Sequence, residues 1–244
     1  MALDELKRNW ERLGEEDPMW AILSVPDLKG GKWDPQAFFA TGIADVETMF
    51  ANARDLRIDI RREAAFDFGC GIGRLSQALA PHFRSVVGVD VSESMLRQAR
   101  QLNRHPDVCR YHLNTKTDLR EFSDESIDFC VTYLVLQHMK SRYAQAYLKE
   151  FCRLLRAGGV LLFQIPTRLR LNGPPRPVAE PTVDDETETA SAPASAEPVI
   201  EMHETPLSTV ARLLNDNGLE LISARSDGRA GPEFLSHEIW AVKV

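Results

Sequence analysis

The chain has 244 residues, 43% apolar and 27% charged, enough for one well-buried domain of ordinary globular composition. Its net charge is −7, and eight acids against one base fall between Arg176 and Glu204, so the remainder is close to neutral and lacks the basic stripe of a nucleic-acid binder. No apolar run is long enough to cross a bilayer and the first residues carry acids in place of an apolar signal core, so the expectation is a cytoplasmic protein with no membrane partner.

Leu3, Leu6, Trp10 and Leu13 recur at helical spacing, and Gly14 with Asp17-Pro18 marks the expected end of that first helix. A turn-rich stretch follows through Lys29-Gly30-Gly31-Lys32-Trp33. Phe38-Phe39-Ala40-Thr41-Gly42 is aromatic and punctuated, and reads more like a pocket wall than a helix; Asp45 to Arg54 then reads as a helix. The segment also holds Trp10, Trp20 and Trp33. It divides from the rest as an N-terminal helical cap, residues 1–62, before a core of residues 63–244. The two readings of this cap are a layer packed on a sheet edge and a cover that closes a pocket.

Ala64–Phe68 is a short apolar run leading into Gly69, Gly71 and Gly73, after which Leu75, Ala78 and Leu79 adopt helical spacing. That is a buried strand, a tight turn and a helix start. Glycine suits such a turn because the backbone needs dihedrals a Cβ forbids and because a ligand approaches the main chain closely. Ser85–Val89 is a second buried strand ending in Asp90, about twenty residues past the first glycine, where a nucleotide site places the carboxylate that binds ribose hydroxyls. Asp67, just before the glycines, is a second carboxylate that repels a pyrophosphate and suits a ligand with cationic groups.

Further strands are expected at Val108–Leu113, Ile127–Tyr133 and Val160–Ile165, with helices at Arg74–Ala80, Ser92–Asn103 and Arg142–Arg156. Ser92 is placed as an N-cap, and Gly158-Gly159 as the stop before the fifth strand. Leu171 to Pro198 is rich in Pro, Ala, Ser, Thr and acids and poor in large apolar residues, so an acidic, flexible insertion over about 171–200 is expected. A helix capped by Thr205 with Pro206 in its first turn then runs to about Asn217, and Leu219–Ser226 and Leu235–Val244 alternate as two strands. Alternating strands and helices imply an α/β fold with a mainly parallel sheet covered on both faces. Cys70, Cys109, Cys130 and Cys152 have no ligand spacing and read as reduced thiols; no His and acid set is spaced for a metal.

Asp67-Phe68-Gly69-Cys70-Gly71-Ile72-Gly73 and Val87-Gly88-Val89-Asp90-Val91-Ser92 resemble the glycine-rich motif and ribose-binding strand end of the class I S-adenosylmethionine-dependent methyltransferases. Phe122–Phe129 and Arg153–Gly159 match further stretches in the family's order, so the resemblance covers Ala64 to about Ile165. It implies a Rossmann-like, seven-stranded, mostly parallel sheet closed by an antiparallel hairpin, which separates these enzymes from dehydrogenases. S-adenosylmethionine, cationic and free of phosphate, fits the two acids better than a dinucleotide does. The resemblance implies a cofactor set of Asp67, Gly69, Gly71, Gly73, Asp90, Val91 and Met95, with Asn114 and Thr115 for the adenine and Tyr133 and Leu134 at the fourth strand's end. Many relatives carry an acid where this chain has Asn114, whose carbonyl oxygen is able to accept the adenine amino group.

Methyl transfer from a sulfonium needs positioning more than functional groups, with a base where the acceptor is a hydroxyl. His138, after the fourth strand, and His203, after the insertion, are the candidates for that base, each with a structural alternative. The expected acceptor is a small molecule methylated on oxygen, a secondary metabolite or saccharide. N-methylation of a small amine, a protein acceptor and non-catalytic cofactor binding are the alternatives, and the oligomeric state is not legible.

Overall fold

The computed structural model describes residues 3–170 and 200–244, so the acidic stretch expected at 171–200 lies, except for Ile200, outside the described residues. In chain order the elements are α1 (Leu3–Glu16), α2 (Pro18–Ile22), α3 (Pro35–Asp55), β1 (Ala64–Phe68), α4 (Arg74–Leu79), β2 (Ser85–Asp90), α5 (Glu93–Gln101), β3 (Cys109–Leu113), β4 (Ile127–Thr132), α6 (Ser141–Leu154), β5 (Leu155–Leu169), α7 (Leu207–Asp216), β6 (Leu219–Asp227) and β7 (Phe234–Lys243). One seven-stranded sheet runs β3-β2-β1-β4-β5-β7-β6. The first five strands are parallel, and β7 enters antiparallel between β5 and β6.

β1, β4 and the middle of β5 are buried because helices cover both faces, and they are apolar but for Asp67, Asp128, Thr132 and Gln164. Phe66, Phe68, Leu161 and Phe163 pack with Leu148 and Phe151 of α6 and Leu214 of α7. Ala65, Phe129 and Trp240 pack on the opposite face with Met49 and Phe50 of α3 and Leu75 and Leu79 of α4. A third cluster, containing Leu13, Ala21, Phe38 and Met95, joins the N-terminal helices to this scaffold. The strand order reverses between β1 and β4, which opens a crevice at their carboxyl ends.

Several local expectations are corrected. Phe38–Gly42 is no pocket wall: α3 is one helix of 21 residues, started by Asp34, whose side chain accepts from the Ala37 N–H at 2.8 Å, and by Pro35. Gly42 lies in that helix because a Cβ there would stand 2.4 Å from the Arg74 carbonyl oxygen. Gly14 does not end α1 either; it lets α1 approach α5, where a Cβ would meet Ser94 Oγ at 2.3 Å. Helix α6 stops at Leu154, and Gly158-Gly159 fall inside β5 instead of before it. Thr205 does not cap α7: its hydroxyl donates to Ser141 Oγ at 2.9 Å, and Pro206 holds the cap position. Among the described residues no helix is long and apolar enough to cross a membrane, and no group of acids, histidines and cysteines is arranged to hold a metal.

Candidate active site

The crevice holds a pocket whose floor is the turn after β1. Gly69 and Gly71 have φ of +74° and +53°, and side chains fill the space where a Cβ would stand: Val135 Cγ2 lies 2.2 Å from the Cβ position of Gly69 and Ile22 Cδ1 2.5 Å from that of Gly71. The Gly69 and Cys70 N–H groups donate to the Val89 carbonyl at 2.7 and 3.0 Å. The Gly71 N–H donates to Asp90 Oδ2 at 2.8 Å, and the Ser92 N–H to Asp90 Oδ1 at 2.9 Å. Asp90 therefore fixes the glycine turn to the β2–α5 loop and faces the pocket with its remaining lone pairs. Desolvation raises its pKa, opposed by those backbone bonds. Ser92 caps α5 as expected, accepting from the Met95 N–H at 3.2 Å.

The N-terminal helices close one side. Leu6 and Trp10 of α1 and Ala21 and Ile22 of α2 line the pocket. Glu11 is the fastening: its carboxylate accepts from Ser92 Oγ at 2.9 Å and from the Ser94 N–H at 3.1 Å, while Ser94 Oγ donates to the Glu11 carbonyl at 2.8 Å. Gln98 adds a bond to the Gly14 carbonyl at 2.7 Å.

Of the sequence-derived cofactor set, Gly69, Gly71, Asp90, Val91, Met95, Asn114, Tyr133 and Leu134 meet in this pocket, and Asp67, Gly73 and Thr115 do not. Strand alternation turns Asp67 to the other face of the sheet, where Ser76 Oγ donates to it at 2.6 Å. Burial, partly offset by the Ser76 bond and the Arg74 charge, lifts its pKa to about 6. Gly73 sits at the start of α4 with the Tyr111 hydroxyl 2.3 Å from the position of a Cβ, and Thr115 is exposed. The Asn114 side chain is drawn into its own loop: Oδ1 accepts from the Lys116 N–H at 3.0 Å and Nδ2 donates to the Asp118 carbonyl at 3.1 Å. Tyr147 of α6 is a pocket residue that the sequence did not single out. Its hydroxyl donates to the Lys116 carbonyl, and its position on the buried face of an amphipathic helix was the only available signal.

His138 lines the pocket and His203 does not. His138 is buried against Trp10, with ring centroids 5.2 Å apart. Its Nδ1 is 2.9 Å from the Glu201 carbonyl, which only accepts, so Nδ1 carries the proton and Nε2 takes the Gln137 amide N–H at 3.1 Å. Burial lowers its pKa to about 4, against the raising effect of the Glu201 bond, so the ring is neutral near pH 7. His203 pairs with Glu201 at 2.9 Å, and its backbone N–H donates to the Gln137 carbonyl at 2.7 Å. All four cysteines are buried and unpaired, and burial pushes the Cys70 thiol well above its ordinary pKa, which leaves it unreactive.

No lysine or arginine lines the pocket among the described residues; its charged group is the Asp90 carboxylate, set in apolar, aromatic and thioether walls. That donor set fits a phosphate-free, cationic nucleoside and opposes a pyrophosphate.

Residues 66–163 match the methyltransferase domain family. The ubiquinone biosynthesis O-methyltransferase of Pseudomonas entomophila (strain L48) is 28% identical over 138 residues, 56% of this chain and 58% of that protein. This chain thus spans 58% of the length of that O-methyltransferase, and it matches RNA methyltransferases over still smaller shares of theirs, 26% for a 23S rRNA methyltransferase of Marinomonas sp. (strain MWYL1). The structure of magnesium protoporphyrin IX methyltransferase from Synechocystis PCC 6803 with bound S-adenosylhomocysteine superimposes with a TM-score of 0.62 at 17% identity, covering 98% of each chain. Haemonchus contortus phosphoethanolamine N-methyltransferase 1 gives a TM-score of 0.64 at 18% identity over 99% of this chain and 49% of that one, a likeness of fold. With the glycine turn, the strand-end carboxylate and the seven-stranded order, residues 66–163 carry a methyltransferase domain, in a fold similar to that of solved S-adenosylmethionine-dependent methyltransferases.

Proposed function

We propose that the protein methylates a small molecule on oxygen, and that the accepting hydroxyl is an acidic one, of phenol or enol type. When bound, S-adenosylmethionine supplies a methyl group on a sulfonium, already activated for displacement. Asp90 is the residue that would hold the ribose, Gly69 and Gly71 the residues whose backbone it would approach, and Trp10 and Met95 parts of the wall that excludes water. The observation that carries the cofactor assignment is the single Asp90 carboxylate in a pocket that no lysine or arginine lines among the described residues.

The choice of acceptor rests on His138. It is the histidine on the pocket wall, and with a pKa near 4 and both nitrogens bonded it is a weak base. A sugar hydroxyl would need stronger help to lose its proton, whereas a phenol loses one with little. In this reading His138 takes the acceptor proton on Nε2 only as the Gln137 amide moves away, and otherwise orients the wall; His203 has a structural role. Small-molecule O- and N-methyltransferases among the relatives and fold neighbours support a small acceptor.

Calorimetric titration with S-adenosylmethionine, S-adenosylhomocysteine and NADH comes first, in the wild type and in Asp90→Ala. Binding of the first two, lost in the variant, supports the cofactor site, and binding of NADH alone overturns it. Release of S-adenosylhomocysteine is then followed against phenols, sugars, small amines and RNA. Turnover with sugars and none with phenols would refute the acceptor reading.

A further inference from the structure

Among the described residues three other than glycine have positive φ, Arg57, Glu125 and Leu134, and of these only Leu134, at +61°, lines the pocket. A leucine there brings its Cβ against the neighbouring carbonyl, a conformation that persists only when the surroundings impose it. The surroundings that do so are polar. The Leu134 N–H donates to Gln164 Oε1 at 3.3 Å, and Gln164 Nε2 donates to Ser236 Oγ at 2.5 Å. Gln164 is wholly buried in β5 between Phe163 and Ile165, and Ser236 is buried in β7. An amide in the middle of an apolar strand is costly unless both of its ends are bonded, and here both are. Because the Leu134 N–H only donates, Oε1 faces β4 and the amide nitrogen faces β7, so the orientation is fixed.

The consequence lies on either side of Leu134. The left-handed residue turns the chain so that Val135 packs on Gly69, while the Tyr133 hydroxyl reaches back to Glu238 Oε2 at 2.5 Å. The wall facing the glycine turn thus depends on one disfavoured backbone conformation.

We infer that Gln164 is a positioning residue for the cofactor pocket: through its bond to Leu134, anchored by Ser236, it sets the separation between residues 133–135 and the glycine turn. The inference rests on the cofactor reading above. The test is a pair of double-mutant cycles, read by the Kd for S-adenosylhomocysteine and by hydrogen exchange at the Leu134 amide. Gln164→Leu keeps the volume and removes the acceptor. It is expected to weaken binding about tenfold in the wild-type background and about twofold or less in a Leu134→Gly background, where glycine adopts the left-handed conformation unaided. The Leu134 amide is expected to exchange slowly in the wild type and faster in Gln164→Leu. Should that variant not fold, Ser236→Ala removes only the anchor, and the same coupling to Leu134→Gly is expected at smaller size. Equal losses in both backgrounds, or unchanged exchange at Leu134, would overturn the proposal. Wild-type protein that binds neither S-adenosylmethionine nor its product refutes the proposed function instead, and the exchange measurement still decides whether Gln164 holds Leu134.

Discussion

Asp67 is the position where a single atom change should be most informative. Its carboxyl is buried behind the glycine turn, bonded to Ser76 Oγ, and titrates at about 6 against an ordinary value of 3.8. Between those two values the folded protein keeps a proton that the unfolded chain has released, so stability falls as the pH rises across that range. The contribution is complete below about 3.8 and gone above about 6. The gap is about two pH units, and at about 1.4 kcal/mol each this gives about 3 kcal/mol of cost for holding the ionised form near neutrality. Asp67→Asn removes the ionisation and keeps an oxygen for Ser76. Its new amide N–H groups would offset about 1 kcal/mol of the gain, leaving about 2 kcal/mol. For a chain of this size that raises Tm by about 4–8 °C near pH 7.5. Near pH 4 the gain should vanish, because the wild-type carboxyl is then neutral in the fold. Thermal melts followed by circular dichroism across that range measure the difference directly. A variant equally stabilised at both pH values, or destabilised at the higher one, would refute the argument.

His138 has the opposite sign: its folded-state pKa lies near 4 against 6.5 for the free side chain, so stability is lost as the pH falls from about 6.5 through about 4. His138→Asn keeps a donor for the Glu201 carbonyl and should flatten the acid limb of the urea midpoint between those values; an unchanged limb would assign it to other groups. Gly42→Ala should cost about 1–3 kcal/mol, since its Cβ would lie 2.4 Å from a backbone oxygen, whereas Gly228→Ala, with open space around it, should stay within about 0.5 kcal/mol by chemical denaturation. Glu11→Ala removes the bonds that hold α1 to the start of α5 and should speed amide exchange across residues 3–22 while leaving the exchange of β1 and β4 unchanged; uniform protection in both proteins would show the fastening to be unimportant.

The scaffold was legible wherever the local pattern and the tertiary environment agree. β1 begins and ends where the apolar run and the glycines place it, and Ser92 caps its helix. The misreadings have a common cause. Gly14, Gly42 and Gly158 look alike in sequence, yet the first two permit helices to touch and the third lies exposed within a strand. Asp67 and Asp90 both stand at strand ends, but the two-residue period of β1 points Asp67 to α4, while Asp90, last in β2, reaches the pocket. The state of His138 depends on a carbonyl 63 residues away, and the conformation of Leu134 on an amide 30 residues away. Long-range partners of that kind leave no periodic trace in the chain.

The position of β7 inside the sheet has a bearing on how the molecule is made. Among the described residues β6 has no partner other than β7, and the long edge of β5 stays open until the same strand arrives, although β7 follows the other described elements in chain order. During vectorial synthesis the first five strands are therefore able to assemble while β5 still presents a bare, apolar template to any neighbouring chain. Emergence of Phe234–Lys243 from the ribosome is the event that seals this edge, so expression yield should respond more sharply to changes in β7 than its share of the chain suggests.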